Sequence, residues 1–381
     1  MGISIPQWYP YDGQPEMLPR VSARESWIEL RAMRSHPPRR AVSGIRSEVF
    51  RAAMEQSEQL FRAAENTGYE SRPLLLFYGL SQAGRAIAAA SHRLNETEWA
   101  LSGHGIRAAE LSGPVAGITV SNQGSLAAGR NPSFLRVAQA LASPSIPEKV
   151  GIRELWYLIP ELRGRLPISR SEPHPALFME GSRDDHGTGM ATAHVWGFPA
   201  DFTHTVGFAA SREYGSDAER EIVEYVARYP SLASRRFVHR HYGRDAGISW
   251  EKRPQIRLAH DGGLEVAIAL EGRLPVEEYG FNHPSEFPSN VQLRKASFVY
   301  PSLGIRTVLP AVGGNTEPLH PLITWWAVLY GLSMLARYEP SSWTEAISVN
   351  RSAHAVVLEV LLDEAANSCP PLILQCLESK S

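Results

Sequence analysis

The sequence is short of the landmarks that announce a chemistry. It has no GxGxxG after a strand, no GxxxxGK[ST], no GxSxG, no HExxH and no paired CxxC. Mechanisms built on those motifs therefore lose their usual support, without being excluded. Cysteine is scarce: Cys369 and Cys376 are the only two. Their spacing does not suit a redox or zinc pair, and two are too few for a disulfide scaffold. Seven residues apart on a helix is about two turns, too far for a bridge, so both read as reduced thiols in a reducing compartment.

An excess of one charge is missing as well. The 38 basic and 40 acidic residues leave a formal net charge of -2. Bulk charge then gives no drive toward polyanions, although a local basic groove remains open. No run is apolar enough for a bilayer. The longest candidate, residues 321–336, contains Thr324 and Ser333 and falls short of the ~20 residues a spanning helix needs. The first residues lack the basic and apolar blocks of a signal peptide, and Pro6 stands where a myristoylation motif requires Ser or Thr. A cytoplasmic protein with no membrane contact is expected. With 43% hydrophobic residues and no low-complexity tract, the chain can bury an ordinary core.

Two apolar, aromatic-rich segments dominate what is present. One runs from Leu74 to Ser91 and the other from Leu319 to Tyr338. Each is too apolar to stand alone in water, which implies that the two ends of the chain share one helical core. Between them and around them the periodicity predicts helices near 22–33, over 43–66, 132–142, 152–162 and 352–366. Ile45, Val49, Phe50, Ala53, Leu60, Phe61 and Ala64 form the apolar face of the second of these. Gly68 is placed to end it, and Pro73 suits the first turn of the next. Pro340 breaks the tryptophan helix, and Pro370-Pro371 start a last turn or two.

The middle turns toward strands, at 117–120, 191–196, 256–259, 264–270 and 297–299, with Asp261-Gly262-Gly263 as a hairpin turn. One helix interrupts them, opened by a capping box from Ser216 to Glu219. Residues 1–160 then form an arm and the first part of the bundle, 161–312 an α+β insertion, and 313–381 the second part.

Residues 77–86 (FYGLSQAGRA), Gly103-His104-Gly105, His320-Pro321-Leu322 with Trp325-Trp326, residues 330–338, Pro340 and Trp343 resemble the bacterial YaaC-like proteins. That family implies little about function. The aromatic "FYG" helix followed by the His-Gly step is also similar, more loosely, to HEPN domains. Those are helical bundles that include metal-independent ribonucleases with an Arg-x4–6-His motif. The fold class implied is α+β, a HEPN-like helical bundle formed by the two terminal segments with a mixed insertion. The Arg-His spacing is met by Arg85 with His92 and by Arg236 with His241, neither on the late bundle helix where that motif usually lies.

Several residues carry candidate chemistry. Tyr78, Gln82 and Arg85 fall on adjacent turns of one helix face. They could form a polar notch for phosphate or a nucleobase, or a hydrogen-bond network that fixes packing. His104 between two glycines could serve as a base or phosphate ligand, or merely cap a helix end. Ser333 and Arg337 are four apart near the end of the tryptophan helix, where a cation is already favoured by the dipole. If Arg337 pointed toward Arg85, the two would need an anion or carboxylates between them. Trp325 and Trp326 point about 100° apart and cannot make one stacking platform.

Arg235, Arg236, Arg240 and His241, interleaved with Phe237 and Tyr242, suit contact with nucleic acid as well as they suit a solvated edge strand. Arg183-Asp184-Asp185-His186 with His194 has ligand types but no defined geometry, so no metal and no cofactor are expected. The reading is a nucleotide- or nucleic-acid-binding regulatory or defence component. A metal-independent ribonuclease, and an oligomeric scaffold or subunit burying the tryptophan helices against a partner, stand beside it.

Overall fold

The computed structural model describes residues 18–127, 129–163, 168, 174–181, 191–199, 202, 215–233, 237–241, 247–251, 256–258, 264–270 and 297–378. Contacts divide the chain into two compact units. A helical unit holds Pro19–Glu172, Tyr300–Gly304 and Ala311–Ser381, and a sheet unit holds Met1–Leu18, Pro173–Val299 and Ile305–Pro310. The protein is mixed α+β with antiparallel sheets.

In the helical unit, α1 (Ala23–Ser35) opens on Ser22. Its Oγ accepts from the Glu25 amide at 3.2 Å while the Glu25 carboxylate accepts from the Ser22 amide at 2.9 Å. That reciprocal cap satisfies two donors the helix cannot. Helix α2 (Gly44–Glu65) runs antiparallel to α1. Trp27 meets Phe61, Arg31 pairs with Glu58, and Arg34 pairs with Glu55. Phe50, Ala53, Phe61 and Ala64 are buried as expected, with Met54 beside them. Ile45 is not: it is 69% exposed, because the first turn of α2 extends past the end of α1.

Helix α3 (Arg72–Ala90) carries Pro73 in its first turn and packs along α2. A Cβ on Gly79 would lie 2.8 Å from the Phe61 ring, so the glycine sets how closely the two helices approach. After α3 come β1 (Ile106–Ala109), β2 (Thr119–Asn122), α4 (Ser133–Ala140), β3 (Val150–Gly151) and α5 (Ile152–Trp156). The three strands form a small antiparallel sheet in the order β1-β2-β3. Of the predicted 152–162 helix only α5 and a 3-10 turn at Pro160–Leu162 exist. Pro160 cannot donate within a continuous helix.

The sheet unit contains β4 (Leu177–Gly181), β5 (Ala191–Trp196), α6 (Gly215–Val226), α7 (Pro230–Ala233), β6 (Phe237–His241), β7 (Gly247–Glu251), β8 (Ile256–Leu258) and β9 (Leu264–Leu270). Strands β10 (Phe298–Tyr300) and β11 (Ile305–Val308) join it, giving the order β10-β11-β4-β5-β9-β6-β7 with β8 also on β9. Leu177 and Met179 of β4 and Ala193 and Val195 of β5 are buried in one cluster with Ile222, Tyr225 and Val226 of α6. Strands β4, β7 and β11 have no counterpart in the sequence reading, because their short runs lack clear alternation.

Two readings of this region change. Ser216 is a helical position of α6, not the residue before it. Strand β6 lies between β9 and β7, so it is not an edge. Strands β8 and β9 pair antiparallel with Leu258 opposite Leu264, while the predicted turn between them lies outside the described residues.

The chain returns to the helical unit with α8 (Pro321–Tyr338), α9 (Pro340–Ala346) and α10 (Ala355–Glu378). Residues Pro321 to Leu335 of α8 are buried all round, Trp325 and Trp326 completely, which marks α8 as a central core helix. Pro370 and Pro371 lie inside α10 instead of starting a separate turn. The helix continues through them because Cys369, Leu372, Ile373, Cys376 and Leu377 on either side are all buried. That burial outweighs the two lost backbone donors. Both cysteines are buried and unbridged. Among the described residues, no helix is long and apolar enough to cross a membrane.

Candidate functional site

Helices α3 and α8 run antiparallel: Phe77 packs on Tyr330 at 5.2 Å, and further along α3 Gly84 faces Trp326, which lies about one turn before Tyr330 on α8. Any Cβ at Gly84 would overlap the Trp326 ring. This close approach brings the polar faces of the two helices together at one end. Tyr78, Gln82 and Arg85 line α3, all half-buried, and Tyr330 and Arg337 line α8 two turns apart. The Arg337 Nη1 donates to the Tyr78 hydroxyl at 3.4 Å.

His104 closes the third side from a loop. Gly103 and Gly105 both have positive φ, at 61° and 73°, conformations that suit glycine. At Gly105 a Cβ would also lie 2.8 Å from Pro132. The loop is held to the start of α4, where the Phe134 amide donates to the His104 carbonyl at 2.9 Å and Ser133 Oγ to that of Gly103 at 2.6 Å. The His104 ring sits among Phe77, Tyr78 and Tyr330, at 5.5, 6.4 and 5.8 Å between centroids.

The electrostatics of this notch are one-sided. Burial first, then the Arg337 and Arg85 guanidiniums, hold the His104 imidazole below its ordinary range. Burial, followed by the neighbouring Tyr338 and Tyr78, pushes the Tyr330 hydroxyl up. Among the described residues neither Arg85 nor Arg337 has an acidic partner. Arg85 donates to the Leu101 carbonyl at 3.0 Å, leaving most of its fork unused. The ring nitrogens of His104 and the side-chain amide of Gln82 have no hydrogen-bond partner among the described residues.

The predicted residues therefore separate. Tyr78, Gln82, Arg85, His104 and Arg337 belong to one notch. Arg337 is exposed, not buried, so the two arginines open to solvent on at least one side. Ser333 is fully buried, and its hydroxyl donates to the Tyr330 carbonyl at 2.8 Å within its own helix. Tyr330, which reaches the notch, stands two turns before Arg337, a spacing visible in the sequence. His92 is exposed beyond the end of α3. Arg235, Arg236 and Tyr242 lie outside the described residues, as do Arg183 to His186. Arg240 and His241 are backbone positions of β6 opposite Ile248 and Gly247. No cluster with metal-ligand composition occurs among the described residues.

Two further polar groups are buried in the helical unit. Glu161 accepts from Ser302 Oγ at 2.9 Å. The Ser368 hydroxyl stands beside the same carboxyl and, like Ser302, offsets part of the cost of burying its charge. Burial pushes this carboxyl up to about 7. His320 caps α8, its Nδ1 accepting from the Leu322 amide at 3.2 Å, and its Nε2 lies 3.9 Å from Cys376 Sγ. Burial pulls this imidazole down to about 4 and the Cys376 thiol up to about 12, the signature of a structural pair and not of an activated thiol.

Models of protein families were compared with the chain, and that of the YaaC-like proteins matches residues 22–377. No curated protein and no solved structure matches it.

Proposed function

We propose that this chain, which belongs to the YaaC-like protein family, binds a nucleotide or a nucleic-acid phosphate in the notch between α3 and α8 and acts as a regulatory or defence component. One observation carries the reading. Two guanidiniums without acidic partners among the described residues converge on an imidazole whose nitrogens are unpaired there. Planar guanidinium forks match phosphate oxygens, and the half-buried Tyr78 ring offers a face for a base. A site of this kind gains stability when filled, since a ligand at about 100 times its Kd adds about 2.7 kcal/mol. Thermal-shift screening of the full chain against nucleotides should show a rise that Arg85→Ala and Arg337→Ala each abolish. No rise with any nucleotide would remove the site.

A second reading, a metal-independent ribonuclease on a HEPN-like bundle, draws on the same convergence. Arg85 and His104 share a site that neither Arg-His spacing in the sequence identifies. Under it, labelled RNA incubated with the protein and EDTA is cut, and His104→Ala stops the cutting. Intact RNA after prolonged incubation leaves the binding role alone. The scaffold reading has less to work with, because Trp325 and Trp326 are already covered by the chain itself.

A further inference from the structure

We infer that an anion entering the notch turns His104 into an imidazolium, so that ligand capture takes up a proton and weakens as the medium becomes alkaline. The inference rests on the anion-binding reading above and names how that same site is regulated.

The geometry is what makes the coupling one-directional. Among the described residues the charged groups acting on His104 are two cations, Arg337 from α8, which donates to Tyr78 beside the imidazole ring, and Arg85 from α3. The other ionisable neighbours among the described residues are Tyr78, and Tyr330 with Tyr338 beyond it; burial pushes the Tyr330 hydroxyl up. From α4 the ring's own loop receives only backbone and hydroxyl contacts, and the one arginine of that helix, Arg136, is engaged by Glu98. Burial first, and then like charge, therefore hold the ring below its ordinary range, toward the neutral form.

An anion placed between the two guanidiniums reverses that field. It offsets the repulsion that disfavours the charged ring, and it supplies an acceptor for a ring nitrogen that has none among the described residues. The imidazolium then becomes a third charged donor beside the two forks. No covalent step is involved: one proton moves from solvent to the ring as the anion binds. By linkage, affinity falls toward tenfold per pH unit wherever the filled site holds the proton and the empty site does not. The ring's softness at neutral pH is what suits it to this task.

Sulfate is the better probe, because unlike phosphate it keeps one charge state across the range tested. Its binding to the full chain should weaken several-fold to tenfold per unit between about pH 6 and 8. Calorimetry in two buffers of different ionisation heat should show uptake of close to one proton. At constant pH, the ring nitrogens of His104 in labelled protein should move toward imidazolium positions as sulfate is added. His104→Gln keeps a hydrogen-bonding side chain that cannot charge, so it should bind more weakly with a flat pH profile.

Sulfate binding that is equally flat in wild type and His104→Gln, with no movement of the ring signals, overturns proton coupling while leaving the notch as an anion site. Failure of sulfate and of pyrophosphate to bind at any pH overturns both.

Discussion

Arg46 and Arg85 stand on neighbouring helices of the same unit, yet their surroundings give them different work. Arg46 donates to the Ala89, Ser91 and Leu94 carbonyls at 3.2, 3.2 and 2.8 Å and lies over the Trp99 ring. It ties off the C-terminal end of α3, whose last carbonyls have no intrahelical donor. Arg85 has a single carbonyl partner among the described residues, which leaves most of its donors unused there. Replacing Arg46 by Ala should therefore cost about 1–3 kcal/mol in denaturant unfolding, while Arg85→Ala should stay within about 0.5 kcal/mol of wild type. Equal losses would mean that Arg85 is part of the packing, and the notch would lose its claim to be a ligand site.

Elements meet here through small residues, and the meeting decides where the polar faces point. Gly84 lets the Trp326 ring lie against the backbone of α3, and that approach keeps Tyr78 within reach of Arg337. Gly84→Ala should destabilise by about 1–3 kcal/mol, since the ring is fully buried with no room to retreat. It should also weaken ligand binding in the thermal-shift assay. An alanine variant as stable as wild type would show that the helices can separate without cost.

The existence of these helices was legible from periodicity, capping and proline placement, as Ser22, Pro73 and Pro340 show. The paired prolines of α10 were misleading, because local rules read Pro370-Pro371 as a boundary whereas buried neighbours on both sides carry the helix across it. In the sheet unit, β4 and β11 are too short and too mixed in character to announce themselves; their pairing supplies what their sequences lack.

For the molecule as a whole, two buried titrating groups set opposing pH slopes. Glu161, raised from 4.5 to about 7 by burial, holds a proton in the fold that the unfolded chain gives up. The resulting destabilisation is absent below 4.5 and complete above 7. His320, lowered from 6.5 to about 4, is neutral in the fold, so its destabilisation is absent above 6.5 and complete below 4. Between 4.5 and 6.5 the two slopes cancel in large part. Glu161→Gln removes only the first. The stability gap between this variant and wild type should be near zero at low pH and widen to about 3 kcal/mol above neutrality. Urea unfolding across that range checks it, and a gap that stays constant with pH would show that Glu161 titrates alike in the folded and unfolded chain.

The amino-acid order alone determined that the two ends are helical and apolar, and that Tyr78, Gln82 and Arg85 share a helix face. Such features follow from spacings of three and four residues, which any helix converts into neighbours. Only the tertiary structure decided that His104 and Arg337 stand around that face and that Ser333 does not. Those distances depend on how two helices and a loop are pressed together by Gly84, Gly105 and the tryptophans. Packing of that kind is a property of contacts far apart in the chain, and no local pattern encodes it.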